Sequence, residues 1–125
     1  MHMMTKILFG SLMGVMVLAG STTQVNAEPP AMTFTVVNIE YQGSKIWTPG
    51  TLVVKKGTKV TVKLINNVTG DPAEHGFAIP AYNIAETVKR GEPKTLEFTA
   101  DKAGIFPITC HLHPAHVGGE LVVLE

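Results

Sequence analysis

The chain is almost without cysteine: of its 125 residues, only Cys110 carries a thiol. One cysteine excludes an internal disulfide, even in an oxidising compartment. A lone thiol in an exported chain is an intermolecular link, a reactive group or a metal ligand. Charge of one sign is also missing, with ten Lys and Arg against ten Asp and Glu. That balance disfavours nucleic acid as a partner. The lysines that do gather, Lys55, Lys56, Lys59 and Lys63, read as a solvated strand face. A docking patch for an acidic redox protein is the other reading. No long stretch has helical periodicity, and there is no internal repeat, low-complexity segment or inter-domain linker. Past residue 27 the only methionine is Met32, and no apolar run is long enough to cross a bilayer.

The N-terminus is the exception to that polarity. Lys6 supplies a positive start, Ile7 to Ala19 a short apolar stretch, and Val25-Asn26-Ala27 a small-residue cleavage pattern. Residues 1–27 therefore read as a secretory signal peptide, and the protein is expected in the periplasm. Residues 28–125 remain as a single domain, large enough for one modest core. Losing Lys6 leaves nine basic against ten acidic residues.

The remaining sequence alternates and is rich in β-branched residues. Strands are expected at Thr33–Ile39, Thr51–Lys55, Lys59–Ile65, Thr95–Thr99, Ile105–Cys110 and Leu121–Leu124. His75–Ile79 reads as a short strand, and Ile84–Val88 as a strand or one helical turn. Gln42-Gly43-Ser44 and Thr48-Pro49-Gly50 read as turn clusters around Trp47, and 66–72 as a loop. Seven to eight short strands with regular turns predict an all-β sandwich.

What the chain does have is a dense run of soft donors, Cys110-His111-Leu112-His113-Pro114-Ala115-His116. Cys110 ends a strand, so its sulfur can point into the end of the sandwich. His113 and His116 follow at three- and six-residue offsets on one loop, with Pro114 stiffening the turn and Gly118-Gly119 letting the backbone reverse. Thiolate plus imidazole suits copper or zinc and excludes hard cations. A structural zinc site ordinarily takes two or more cysteines. His111 alternates away from Cys110, toward the surface or a hydrogen bond beside the site. A further ligand must come from another strand, and His75 is the histidine left to supply it. Glu74 competes for that place, but adjacent strand residues face opposite ways, so only one of the two serves. A copper carrier and a thiol enzyme using Cys110 with a histidine base are further readings of the same run.

These residues resemble the cupredoxins, small exported copper proteins built on a Greek-key β-sandwich. The resemblance is carried by His75, by Ile105–Cys110 leading to His113, and by the turn Asp101-Lys102-Ala103-Gly104 before Ile105-Phe106. Within the family, the chain is similar to the red copper proteins over Thr51–Gly57, Gly76-Phe77, Phe98–Gly104, and Cys110 with Leu112-His113-Pro114. Three departures stand out. The red proteins have a glutamate where this chain has His75, a longer loop where it has only Pro114-Ala115, and a longer segment between Tyr41 and Thr51.

The resemblance implies one copper cycling between Cu(II) and Cu(I), bound by His75, Cys110, His113 and His116. Most members place a weakly bound axial methionine where His116 falls. An imidazole there implies a red or green-yellow protein with a lowered reduction potential. The implied function is one-electron transfer between redox partner proteins, more an electron carrier than an enzyme. The alternative is an open site that binds or transforms a small molecule such as nitric oxide.

Overall fold

The computed structural model describes residues 19–125 apart from residue 26. Most of the expected signal peptide, including Lys6 and nearly all of its apolar stretch, lies outside the described residues. Residues 19–25 and 27–30 are exposed and have no regular structure. Among the described residues, no helix is long and apolar enough to cross a membrane.

Nine strands follow: β1 (Ala31–Tyr41), β2 (Ser44–Thr48), β3 (Thr51–Lys55), β4 (Lys59–Asn66), β5 (Glu74–Ile79), β6 (Ile84–Lys89), β7 (Lys94–Thr99), β8 (Gly104–Ile108) and β9 (Gly119–Leu124). One sheet has the order β2-β1-β4-β7. The other runs β3-β9-β8 and continues into the β5-β6 pair through a backbone bridge between Thr109 and Ala78. The chain passes repeatedly from one sheet to the other. Those crossings leave two parallel pairings, β1 with β4 and β3 with β9, in a mainly antiparallel sandwich.

The alternation that suggested strands is the alternation of burial. On β4, Val60, Val62 and Leu64 face the core while Lys59 and Lys63 face solvent. Leu52 and Val54 of β3 and Leu121 and Val123 of β9 answer them from the opposite sheet. Each such side chain, once buried, contributes roughly 1.5–3 kcal/mol of apolar transfer free energy. Lys55, Lys56, Lys59 and Lys63 are all exposed, as a solvated face requires.

The sandwich forms as expected, but the strand count is nine rather than seven to eight. The additional strand is β2, which the turn residues on both sides of it disguise. Gln42 and Gly43 both have positive φ, 48° and 80°, the conformation of a two-residue hairpin turn. This turn folds β2 antiparallel onto β1 with Trp47 opposite Asn38. Ile84–Val88 is strand, not a helical turn, because it pairs along its whole length with β5.

Gly118 and Gly119 serve close approach rather than unusual dihedrals, since neither has positive φ. A Cβ on Gly118 would stand 2.7 Å from the Ile108 carbonyl oxygen, and one on Gly119 would collide with the Gly50 carbonyl. Both obstacles are backbone and cannot step aside as a flexible side chain could. Gly119→Ala is therefore expected to destabilise the fold by about 1–3 kcal/mol, the range for forced overpacking. Thermal or denaturant unfolding against the parent protein measures the loss.

Candidate metal centre

The site grows from the outer edge of β5. In an antiparallel pair, alternate residues turn their N–H and C=O away from the partner strand. Ala78 turns outward and exchanges two hydrogen bonds with Thr109, at 2.8 and 2.9 Å. This sets Cys110, the next residue, beside Gly76. The outward Gly76 N–H then donates to Cys110 Sγ at 3.1 Å, and the Gly76 carbonyl accepts from Trp47 Nε1 at 2.8 Å. Both groups of a buried peptide edge are thereby satisfied without a neighbouring strand.

His75 and Phe77 share the opposite parity, and both are fully buried. Trp47 packs edge-on against Phe77, with ring centroids 5.5 Å apart. Below β5, Asn66 secures the loop that leads into it. Its Nδ2 donates to the carbonyls of Ala73 and Val88, and its Oδ1 accepts from the Val68 N–H. Arg90 adds Nε to the Val68 carbonyl at 2.8 Å and Nη2 to that of Gly70 at 3.1 Å.

The loop after Cys110 closes by successive local turns. The His113 N–H donates to the Cys110 carbonyl at 3.2 Å, and the His116 N–H to the His113 carbonyl at 3.0 Å. These turns bring His113 and His116 over His75, with ring centroids 5.3 and 5.0 Å from it and 4.6 Å from each other. Cys110 Sγ lies 3.6 Å from His113 Nδ1. One donor atom from each of His75, Cys110, His113 and His116 falls within 4.8 Å of every other. All four residues singled out from the sequence thus meet at one point.

Glu74 does not compete with His75. It faces outward and pairs with Lys89 at 3.3 Å. His111 stays out of the cluster, and its imidazole lies over Gly76, where a Cβ would stand 2.5 Å from Nδ1. Pro114 is exposed on the turn, whereas Phe77 and Trp47 are buried. Two supporting groups had no local signal in the sequence. Trp47 lies 29 residues from the carbonyl it holds, and Gly76 acts through its main chain.

The electrostatics of the cluster suit a soft cation. Both ring nitrogens of His75 and Nδ1 of His116 are buried and lack a hydrogen-bond partner. Burial, then repulsion from His116, His113 and Lys45, holds the His75 imidazole below its ordinary pKa of 6.5. The Pro72 carbonyl pulls the other way but makes no well-formed hydrogen bond to either nitrogen. His116 is lowered too, by burial first and then by His113 and Lys45. Neutral imidazoles with free lone pairs beside one sulfur form a donor set that fits copper.

Fold and site together define a copper-protein sandwich, and the chain belongs to the cupredoxin-like domain family, whose model matches residues 10–123. Over 57 residues it is 42% identical to the nitrous-oxide reductase of Cupriavidus necator, covering 46% of this chain and 9% of that protein. A nitrous-oxide reductase of Ralstonia nicotianae matches to the same extent. The chain thus spans less than a tenth of the length of these curated relatives. Among solved structures it is similar to the copper nitrite reductase of Nitrosomonas europaea, with 26% identity and a TM-score of 0.59. That match covers 75% of this chain and 41% of the reductase. Auracyanin from Roseiflexus castenholzii shares the fold at a TM-score of 0.62 and 18% identity, over 77% of this chain and 99% of its own.

Two outcomes test the site's construction. Trp47→Phe keeps an aromatic ring but strands the buried Gly76 carbonyl, and should cost about 1–3 kcal/mol in chemical denaturation. The metal-free protein should also lose stability on acidification. Well above pH 6.5, His75 and His116 are neutral whether the chain is folded or not. Below it, the unfolded chain takes up protons that folded His75 and His116 resist, so stability falls, by at most about 1.4 kcal/mol per pH unit for each group. The fall ends once the lowered folded pKa values are passed, and unfolding free energy measured from pH 7.5 to 5 follows it.

Proposed function

We propose that this chain is an exported copper protein that carries one electron between redox partner proteins. The observation that carries the reading is the convergence of one thiol and three imidazoles, drawn from β5 and a single loop, within 4.8 Å. His75, Cys110, His113 and His116 would hold the metal, and copper bound there supplies one-electron chemistry between Cu(II) and Cu(I). Cys110 offers the soft sulfur and a covalent link into the backbone that continues from β8. Its thiolate is steadied by the Gly76 N–H, since hydrogen bonds to a ligating sulfur tune a copper centre. His113, half-buried on the loop, offers the route to the surface. The sandwich beneath keeps the four side chains in place, so little has to move when charge changes.

The signal pattern of residues 1–27 supports a periplasmic location. The closer likeness proposed is to nitrosocyanin among the red copper proteins, and it rests on the sequence stretches already named. His75 in place of a glutamate, and His116 in place of an axial methionine, set this chain apart within that likeness.

A second reading gains weight from the partial exposure of His113 and His116 and from the likeness to copper nitrite reductase. In it the same residues leave a position at which a small molecule such as nitric oxide binds. Absorption and EPR spectra of the Cu(II)-loaded protein, with and without azide, decide between the two. Electron transfer predicts a dominant higher-energy thiolate band, a large parallel hyperfine splitting and no azide response. A strong azide shift favours the open site, and a colourless protein overturns the copper reading.

A further inference from the structure

Strand β2 carries a second residue on the face that Trp47 uses. Side chains two apart share a face of a strand, so Lys45 projects to the side on which Trp47 reaches Gly76. Its side chain is only 19% exposed, which is low for a lysine. The Lys45 carbonyl accepts a hydrogen bond at 3.3 Å from the N–H of Val117, the residue after His116, and Ile46 bridges to Val117 as well. Lys45 is therefore held against the end of the ligand loop, one residue from His116, with its side chain largely covered. Its counter-charge is Glu40, directly across the β1–β2 hairpin at 3.6 Å, with a side chain 37% exposed. Of the two, the lysine is the more covered and the carboxylate the more exposed.

We propose that Lys45 is an electrostatic positioning residue for the metal centre, and that its fixed charge shifts the bound copper toward Cu(I). The inference rests on the copper reading above. One thiolate and three neutral imidazoles leave the oxidised centre with a single net positive charge and the reduced centre neutral. A neighbouring cation repels the first and not the second. The centre then accepts an electron from a protein donor more readily, and no bond is made or broken. Three imidazoles favour Cu(II), and Lys45 offsets that preference without occupying a coordination position.

Two variants test this in the full-length mature protein. Lys45→Met keeps the stem and removes the charge; Glu40→Gln keeps the shape and removes the counter-charge. Redox titration gives the potential, and chelator competition gives the ratio of Cu(I) to Cu(II) affinity. For Lys45→Met the potential should move negative and the ratio fall about three- to ten-fold, the range for removing one partly screened charge. For Glu40→Gln both should move the opposite way and by less, because the carboxylate is more exposed and so more screened. Opposite signs separate a fixed charge from a packing defect, which would not reverse between the two. An unchanged or raised potential in Lys45→Met overturns the proposal. So does the absence of a positive shift in Glu40→Gln, which decides the matter alone if Lys45→Met does not fold. A parent protein that takes up no copper overturns the copper reading itself, whereas copper bound with unmoved potentials overturns only the role of Lys45.

Discussion

The structure of the site depends on the backbone pairing of Ala78 with Thr109. That pair joins the β5–β6 hairpin to the β3-β9-β8 sheet; the hairpin's other main-chain bridge to the sandwich runs from Asn66 to Arg90. Through the Ala78–Thr109 pair, the strand carrying His75 is fixed against the strand leading to Cys110. Two ligand candidates 35 residues apart in sequence come into register through main-chain geometry alone. The next outward-facing residue, Gly76, then finds a sulfur where a ladder would offer a carbonyl. No substitution short of proline removes a main-chain donor, so the thiol keeps its hydrogen bond as long as β5 keeps its place.

The cluster runs against the ordinary economy of a folded core. Buried polar groups are nearly always hydrogen-bonded, and each exception costs on the order of 1–3 kcal/mol. Here three imidazole nitrogens are buried without partners, within a few ångströms of one another. Outside the cluster, Asn38 Oδ1 is the one other such atom among the described residues, whereas the side chain of Asn66 makes three hydrogen bonds. Three of the four unsatisfied atoms thus gather where a cation would complete them. It also explains why the rings tolerate crowding: neutral imidazoles can share a small volume, whereas protonated ones would repel.

How much of this was legible in the sequence varies with how local the cause is. β3, β4 and β7 stand out because each buries one face, so their burial alternates along the chain. β5 does not alternate, since all its residues from His75 to Ile79 are buried, and a strand covered on both faces loses the period-two signal. β2 was hidden by the turn residues that bound it, Gln42-Gly43 before and Pro49-Gly50 after. The four donors were legible because thiol and imidazole are scarce in this chain and four of the six such residues sit in one run. Trp47, Gly76 and Lys45 were not, because their roles arise from contacts between β2, β5 and the loop that no spacing encodes.

That division puts β2 in an unexpected position. It contributes no donor, yet it holds both sources of donors. Through Trp47 it grips the Gly76 carbonyl on β5. Through Lys45 and Ile46 it holds Val117, where the ligand loop ends. The loop is thus anchored at its start by β5 and at its finish by β2, with Cys110, His113 and His116 suspended between. A loop fixed at both ends and tightened by two local turns has few conformations left to lose when a ligand binds. β2 itself is secured by the tight turn that folds it onto β1, so the rigidity of the centre traces back to two residues with positive φ, Gln42 and Gly43, that contact none of the donors.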